Sequence, residues 1–408
     1  MKPPLVQTLK GFRDFLPAEK RARDFVQGKV TETFIRFGFE PVETPTLEYA
    51  SLLLGKYGDE ADKLVYSFTD RGEREVALRY DQTVPTARLL AQYQNVLPKY
   101  FRRYQIQNVF RADKPQKGRY REFTQCDVDI FGSNDPISDA EILACSYESF
   151  RAVGFKQIII RVNDRQTLMA TLSPFVTEAV DVFSLIQSVD KLDKQTPAEV
   201  EAELIAKGLS KSAAGVVLVT LETTLCSPEL QTVLDLTENL GVPKSSLVFA
   251  PTLARGLDYY TGMIFEISVS EAGAGSCGGG GRYDNLIENL SGRNIPGVGV
   301  GLGFDRMVEA AKALDLIPAT TGSTEYLVTV FSPELRMASA RIAKKLRDQS
   351  KVVQLYPGTE NIGKQLKYAS QIGAKFAVIV GEEEVKNTTF VVKDLDSGEQ
   401  TTVNYMLH

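Results

Sequence analysis

The stretch YFRRYQIQNVFRADKPQKGRYREFTQCDVDIFG, residues 100–132, contains the two longest strand-like runs of the chain. Both runs are rich in aromatic and β-branched side chains, which favour a pleated strand. The short polar loop DKPQKGR, residues 113–119, joins them. Because parallel strands need a long crossover, a loop of this length indicates antiparallel neighbours. The stretch therefore predicts an antiparallel sheet.

The second run places three polar side chains on one face of its strand. Alternation in QCDVDIFG puts Gln125, Asp127 and Asp129 opposite Cys126 and Val128. Polar groups on one face of a central strand need buried partners, which favours a site over a solvated edge.

The loop between the runs is basic. Alternation sends Arg119 and Arg121 to one face and Tyr120 to the other. Guanidinium groups pair bidentately with phosphate oxygens, so this face suits a polyphosphate. A solvated basic hairpin is the alternative that these residues leave open.

Two further stretches carry candidate arginines. ARGLDYYTGMIFEIS, residues 254–268, places Arg255, Tyr259 and Tyr260 just ahead of a strand-like run. GLGFDRM adds Arg306 at a glycine-rich junction between strand and helix. Glycines let a ligand approach the backbone, although they serve tight helix–sheet packing equally well.

An acid and a hydroxyl stand together in LRYDQTVPTARLLA, where Asp81 and Thr83 follow a strand-like run. This pair could bind an ammonium group, or it could cap the following helix. Taken with the arginines and the polar strand, it describes a site that binds ATP and an amino acid together.

The rest of the chain divides into segments of different character. Residues 18–37 have helical periodicity, and the spacing in residues 166–250 predicts a helical insertion. After a linker candidate at 317–325, strands alternate with helices, which predicts a separate unit with a mostly parallel sheet. We expect an α+β fold with one domain at 1–320 and another at 325–408.

Composition excludes several classes of protein. The chain has 408 residues, 43% of them hydrophobic, and a formal net charge of −5. No membrane span or signal peptide is expected, which makes the cytoplasm the default location. Four cysteines without a C-x-x-C argue against a disulfide framework or a zinc ribbon. The one histidine, His408, leaves almost no material for a catalytic triad or a histidine-ligated metal.

Two nucleotide-binding motifs are only approximated. GAGSCG, residues 273–278, matches G-x-G-x-x-G but runs into GGGRYD instead of opening a helix. GTENIGKQ, residues 358–365, resembles a P-loop but has Gln365 where Ser or Thr would hold Mg²⁺. A dinucleotide fold or a P-loop is therefore not expected.

These residues resemble those of the histidyl-tRNA synthetases, a family of class II aminoacyl-tRNA synthetases, over essentially the whole chain. GFEPVETPTLE, FRADKPQKGRYREF and GVGVGLGFDR resemble the three class II motifs. ARGLDYYTGMIFE and GSCGGGGRYDNL resemble the signatures specific for histidine. The resemblance implies a catalytic domain with an antiparallel sheet flanked by helices, a C-terminal α/β anticodon-binding domain, and a homodimer.

The resemblance also implies the reaction, which is ATP-dependent ligation of histidine to tRNA(His). The carboxylate of histidine attacks the α-phosphate of ATP, giving histidyl-adenylate and pyrophosphate. The histidyl group then passes to the terminal ribose of the tRNA. ATP is a co-substrate, with Mg²⁺ bound to it.

Matching positions carry the family's histidine-binding roles. The positions that match those binding the α-amino group are Asp81, Thr83 and Gln125. Those that match the readers of the imidazole are Asp129 and Tyr260, with Tyr259 beside them.

The remaining matches concern phosphates and tRNA. Arg111 and Arg255 match the two arginines around the carboxylate and the α-phosphate, and are the catalytic candidates. Arg119 and Arg306 match those on the outer phosphates of ATP. Gln116, at the tip of the second motif's loop, matches a contact to the acceptor end of the tRNA.

The chain departs from the family pattern at a few positions. Asp81 and Asp129 stand where many members carry glutamate, and Thr124 stands where histidine is frequent. None of these changes removes a charge that the mechanism needs. The alternative is a non-catalytic histidine-binding paralogue, such as the regulatory subunit of ATP phosphoribosyltransferase. Such paralogues typically lose the phosphate arginines and the C-terminal domain, and this chain keeps both.

Overall fold

The computed structural model describes residues 6–55, 63–116, 118–193, 195–255, 259–273, 275–318 and 324–404. The chain forms two compact units, Met1–Ile317 and Pro318–His408. Four features of the sequence lie outside the described residues, namely Lys117, residues 256–258, the linker residues 319–323 and His408.

An eight-stranded sheet forms the centre of the first unit. The strands of this unit are β1 (Glu40–Pro41), β2 (Leu47–Tyr49), β3 (Ser67–Thr69), β4 (Glu75–Leu78), β5 (Phe101–Phe110), β6 (Glu122–Phe131), β7 (Ile158–Asp164), β8 (Leu247–Phe249), β9 (Met263–Val269), β10 (Gly278–Arg282) and β11 (Gly297–Leu302). The large sheet has the order β1-β5-β6-β11-β10-β9-β7-β8, and β2-β4-β3 form a separate small sheet. Neighbours from β5 through to β7 are antiparallel, which confirms the predicted sheet. The edge pairs β1–β5 and β7–β8 are parallel.

Helices surround this sheet. They are α1 (Pro17–Arg36), α2 (Ala50–Leu53), α3 (Thr83–Tyr93), α4 (Pro136–Val153), α5 (Arg165–Leu172), α6 (Val182–Val189), α7 (Pro197–Ala206), α8 (Lys211–Thr223), α9 (Pro228–Asn239), α10 (Leu286–Ser291) and α11 (Phe304–Ala313). Short 3-10 helices lie at Ser173–Phe175, Asp190–Asp193, Lys244–Ser246 and Ser270–Ala272. Local sequence sets the ends of α4, because the Asp135 side chain accepts from the Ile137 N–H and Gly154 follows with a φ of +117°.

The main core lies on one face of the large sheet. Helices α1, α4, α9 and α11 supply apolar side chains to it, among them Phe34, Phe150 and Phe304. Val128 and Val300 meet them from the sheet. Because side chains alternate along a strand, residues of the other parity point to the opposite face. Gln125, Asp127 and Asp129 belong to that second face.

The predicted helical insertion contains two groups of helices. Helices α5 to α8 share a core of their own, which includes Leu168, Leu185, Val200 and Val217. Helix α9 instead packs into the main core. The stretch Lys211–Asn239 is long and apolar enough to cross a membrane by length and composition. It forms two helices of 13 and 12 residues, and a span needs about 20.

The second unit has a mixed sheet. Its strands are β12 (Tyr326–Val328), β13 (Val353–Leu355), β14 (Phe376–Ile379), β15 (Thr389–Asp394) and β16 (Gln400–Asn404), and its helices are α12 (Arg336–Asp348), α13 (Ile362–Gln371) and α14 (Glu382–Lys386). The three strands β13-β12-β14 are parallel, as the strand–helix alternation predicts. Strands β15 and β16 add an antiparallel hairpin, so the sheet as a whole is not mostly parallel. The tight turn after Asp394, with Gly398 at a φ of +78°, is the physical reason.

Gly132, which follows β6 directly, has no room for a side chain. Its φ is +90°, and a Cβ there would lie 2.0 Å from the Lys99 carbonyl oxygen. We expect Gly132→Ala to lower the free energy of unfolding by about 2 kcal/mol or more, through backbone strain and the clash. Gly28 in α1 has nothing within 4 Å of such a Cβ, so Gly28→Ala should raise it by about 0.5–1 kcal/mol. Denaturant unfolding of both variants checks this, and effects of the same sign would contradict it.

Candidate active site

The face of the large sheet opposite the core carries two rows of facing residues. One row runs across five strands through Gln105, Asp127, Gly301, Gly279 and Glu266. The next row runs through Arg103, Asp129, Gly299, Gly281 and Ile264. Charged and amide side chains on β5 and β6 thus face glycines on β11 and β10.

These glycines leave space that neighbouring side chains occupy. A Cβ on Gly299 would lie 1.9 Å from Asp129 Oδ1, and one on Gly279 would lie 2.0 Å from Arg255 Nη1. A Cβ on Gly281 would come within 2.9 Å of the Tyr260 ring. Any side chain here would therefore displace Asp129, Arg255 or Tyr260.

A cavity of about 420 Å³ opens on this face. Nine of the residues that match the family's binding positions line it, and they are Thr83, Arg111, Arg119, Gln125, Asp129, Arg255, Tyr259, Tyr260 and Arg306. Asp81 and Gln116 are not among the lining residues. Asp81 Oδ1 accepts from the Val84 N–H at 3.1 Å and so caps α3, which is the alternative that its sequence left open. Gln116 is exposed on the hairpin between β5 and β6, where its backbone pairs with Arg119.

One end of the cavity is built around a buried ion pair. Arg103 Nη2 lies 2.6 Å from Asp129 Oδ2, and the side chains are 1% and 6% exposed. The Tyr283 hydroxyl donates to Asp129 Oδ1. Burial raises the pKa of Asp129, whereas Arg103 and Tyr283 oppose that increase. Asp129 thus has two protein partners before any substrate arrives.

Asp127, next along the same face, is paired less completely. Its side chain is buried, and among the described residues Oδ1 has no hydrogen-bond partner. Burial raises the pKa of Asp127 to about 8, with Asp129 and Asp81 adding to the increase and Arg103 opposing it. The Oε1 atom of Gln125 is likewise buried and without a partner in the described part of the chain.

Arg255 is held at the opposite wall. Its Nη1 atom lies 3.3 Å from Glu266 Oε1, 3.1 Å from Ser276 Oγ and 3.2 Å from the Gly278 carbonyl oxygen. The Tyr259 and Tyr260 rings, which line the same cavity, have their centroids 4.3 Å apart. The polar contacts of Arg255 fix its guanidinium before a ligand binds.

Three more arginines line the cavity, Arg111 and Arg119 on the hairpin between β5 and β6 and Arg306 on α11. Arg111 donates from Nε to the Tyr80 carbonyl at 3.1 Å, and its guanidinium lies 4.3 Å from the Tyr80 ring. Arg119 is more exposed, with Nε 3.3 Å from Asp113 Oδ2. Arg306 Nη1 donates to the Ser276 carbonyl at 2.5 Å. The cavity is therefore lined both by carboxylate and amide groups of β6 and by the guanidinium groups of Arg111, Arg119, Arg255 and Arg306.

The N-terminal segment fixes the hairpin to helix α11. The Arg13 guanidinium stacks 3.3 Å from the Tyr120 ring centroid, and its Nη2 lies 2.9 Å from Asp305 Oδ1. Arg23 also pairs with Asp305 and donates to Thr124 Oγ1 at 2.9 Å. Two arginines thus hold Asp305 next to Arg306.

Sequence reasoning missed several residues of this site. Arg103, Tyr283 and Glu266 received no role, although each contacts a residue that did. Alternation in FRRYQIQ would have placed Arg103 on the same face as Gln105, which is the available signal. Tyr283 and Glu266 reach the site only through strand pairing, which the sequence does not reveal.

The described part of the site offers no cage of side chains for a metal ion of its own. Among the described residues, no group of three or more His, Cys, Asp or Glu side chains could hold one. Glu266 and Asp305 are engaged with arginines. These residues do not fit a resident metal, and they do fit a Mg²⁺ ion that arrives on substrate phosphates, because Mg²⁺ keeps several waters and needs few protein ligands.

Family models and full-length relatives match this chain. A family model described as Histidyl-tRNA synthetase matches residues 11–307, and one described as Anticodon binding domain matches residues 324–406. A protein named Histidine–tRNA ligase from Christiangramia forsetii is 35% identical over 441 residues, which cover 97% of this chain and 96% of that protein.

Solved structures also resemble the chain. The histidyl-tRNA synthetase of Nostoc sp. PCC 7120 matches with a TM-score of 0.86 and 29% identity, covering 98% of this chain and 97% of that one. A Bacillus halodurans protein, titled an ATP phosphoribosyltransferase regulatory subunit/histidyl-tRNA synthetase, matches with a TM-score of 0.75 and 22% identity, covering 89% and 94%. The second likeness shows the fold alone.

The buried Asp127 carboxyl makes stability depend on pH. Its pKa is about 8 in the folded protein and near 3.9 in the unfolded chain. The folded protein therefore holds more protons between these values, and the free energy of unfolding falls as pH rises across that range. We expect Asp127→Asn to be more stable than the parent at pH 7.5 by roughly 1 kcal/mol or more. Denaturant unfolding in a pH series checks this. The advantage should shrink toward pH 4, about the unfolded-state pKa, and a constant difference would contradict it.

Proposed function

Since the chain belongs to the histidyl-tRNA synthetase family, we propose that it joins histidine to tRNA(His) with the cleavage of ATP to AMP and pyrophosphate, through histidyl-adenylate. The observation that carries the proposal is the cavity itself, which is lined by acceptors suited to an amino acid and by guanidinium groups suited to a polyphosphate. The enzyme is a histidine–tRNA ligase by its full-length relationship to proteins of that name.

Adenylate formation needs charge stabilisation more than proton transfer. A carboxylate oxygen of histidine attacks the α-phosphorus of ATP, and the bond to the pyrophosphate oxygen breaks. Phosphoryl-type transfer of this kind depends on positioning and on stabilising developing negative charge. Arg255 and Arg111 act on the carboxylate and the α-phosphate, and the contacts of Arg255 keep it in place. Such a mechanism requires no histidine base from the protein.

The histidine substrate binds at the polar face of β6. Thr83 and Gln125 bind the α-ammonium group together with Asp81, whose Oδ1 also caps α3. Asp129 and Tyr260 read the imidazole, with Tyr259 beside them. A neutral imidazole offers one donor and one acceptor nitrogen, and a site built for both rejects side chains that lack them. The Arg103–Asp129–Tyr283 contacts hold this face rigid.

ATP and tRNA bind at the arginines and at the hairpin between β5 and β6. Arg119 and Arg306 bind the outer phosphates, which carry Mg²⁺ into the site as part of the substrate. Gln116, exposed at the hairpin tip, contacts the acceptor end of the tRNA. The second unit binds the anticodon, and the enzyme works as a cytoplasmic homodimer.

A regulatory histidine-binding paralogue is the second candidate, and two observations weigh against it. Four arginines of the phosphate type line the cavity. Residues 324–406 match the anticodon-binding model. A signal-binding protein needs neither feature. ATP–pyrophosphate exchange that depends on histidine separates the two functions, because only the ligase forms an adenylate.

Arg255→Ala tests the catalytic assignment. We expect histidine-dependent exchange to fall by roughly 10²-fold or more, the usual loss when one preorganised donor is removed. Histidine should still bind, since the imidazole contacts lie elsewhere. Arg161→Ala is the matched control, because Arg161 also stands near Glu266, at 3.9 Å, and is not a lining residue of the cavity. Near-normal exchange in Arg255→Ala would overturn the role.

Ending the chain after Ile317 tests the division of labour. Because every assigned site residue precedes this point, we expect the shortened protein to form histidyl-adenylate at near the parent rate. Charging of tRNA(His) should fall, since the anticodon contacts are gone. Exchange and charging assays on one preparation measure both. Loss of adenylation in a shortened protein with a native circular dichroism spectrum would contradict the division.

A further inference from the structure

Asp127 stands between two residues with assigned substrate roles and has none itself. It lies two positions from Gln125 and two from Asp129 on the cavity face of β6. An unpaired carboxylate oxygen buried in a ligand cavity costs stability. Such a group needs a partner that arrives with the ligand.

The neighbouring strands use their polar groups elsewhere. On β5, the facing Gln105 donates to Thr44 Oγ1 at 2.8 Å and to Gln107. On β11, the facing Gly301 has no side chain, and a Cβ there would lie 3.3 Å from Asp127 Oδ1. Within the described part of the chain, Oδ1 is therefore left without a hydrogen bond.

The charged and titratable groups around Asp127 come from several elements. Arg103 lies on β5 and is committed to Asp129, and Arg111 follows β5 and donates to the Tyr80 carbonyl. Asp81 precedes α3, and Tyr259 lines the same cavity. These contacts leave Oδ1 unsatisfied in a residue that lines the cavity, so a ligand there can reach it.

The acceptors around this point suit a group that only donates. Gln125 Oε1 and Asp127 Oδ1 are both buried and both lack a donor among the described residues. An ammonium group has three N–H donors and no acceptor, and its charge favours a carboxylate. A neutral imidazole has a single N–H, and two positions further along the strand Asp129 and Tyr283 already define a different subsite.

We propose that Asp127 is a further histidine-binding residue, whose carboxylate holds the α-ammonium group of the substrate together with Gln125. The proposal rests on the proposed function and adds a residue to it. It has a thermodynamic consequence, because the carboxyl is protonated in the free enzyme near neutral pH and ionised beside the ammonium. Histidine binding then releases a proton, and affinity for histidine increases as the pH approaches the pKa of Asp127, about 8.

The test compares two ligands that differ only in the ammonium group, histidine and 3-(imidazol-4-yl)propanoate. Dissociation constants are measured by calorimetry for the full-length parent, Asp127→Asn and Asp113→Asn. Asp113→Asn is the matched control, an acid-to-amide change in the same cavity but beside Arg119. We expect Asp127→Asn to raise the dissociation constant of histidine by about 10-fold or more and to leave that of the propanoate unchanged. Asp113→Asn should leave both unchanged.

A second measurement needs no variant. Calorimetry of the parent at pH 7.5, in buffers of different ionisation enthalpy, should show that histidine releases a larger fraction of a proton than the propanoate does. Equal release by both ligands would overturn the proposal. An unchanged affinity of Asp127→Asn for histidine would also overturn it. So would an equal loss of affinity for histidine and for the propanoate. If the parent binds histidine and supports exchange, the proposed function stands whichever way these results fall; if it binds no histidine, both fail.

Discussion

A side chain at the glycine positions of β10 and β11 would occupy the space now filled by Arg255 and Asp129, and the rest of the site depends on this vacancy. Gly279 and Gly299 have Cβ positions 2.0 Å and 1.9 Å from atoms of those two residues. A sheet that is covered on both faces normally has side chains on both. Here the cavity-facing positions of β10 and β11 are glycines, which have none. The functional groups come from β6, from the hairpin between β5 and β6, from the loop before β9 and from the first turns of α3 and α11. The glycines therefore leave the backbone of β10 and β11 open to the cavity, so that a ligand can lie directly against it.

On the cavity face of the sheet, one buried arginine lies beside two carboxyl groups, and their positions decide which carboxyl is ionised. Arg103 is 1% exposed and is paired with Asp129, while Asp127 stands beside both with one oxygen unbonded among the described residues. A buried cation with two carboxylates nearby leaves one acid whose ionisation is disfavoured. The free protein tolerates this because the carboxyl keeps its proton. A cationic group beside Asp127 would reverse that preference, and the four arginines that line the same cavity attract negative charge.

Residues 100–132 predicted β5, β6 and their antiparallel pairing correctly, because a short loop between two alternating runs permits only that arrangement. The same alternation placed Gln125, Asp127 and Asp129 on one face. It could not identify Tyr283 or Glu266 as neighbours of the site, because those contacts depend on the pairing of β9, β10 and β11, whose order is not encoded locally. For Asp81 the sequence left two interpretations, and only the geometry reveals the cap on α3. In the second unit, the sequence did not predict strands β15 and β16. They lie in TTFVVKDLDSGEQTTV, where no helix separates them, so the strand–helix alternation that marked the other strands is missing.

Arg13 and Asp305 are 292 residues apart in the chain, yet their side chains meet at the wall of the cavity, which Asp305 lines. Closing a loop of that size is entropically costly, and such non-local contacts slow folding. During translation the Arg13 segment must wait for almost the whole of the first unit to leave the ribosome before it can take its place. The hairpin that carries Arg119 therefore acquires its final support late, and a nascent chain interrupted before Asp305 cannot form the ion pair with Arg13.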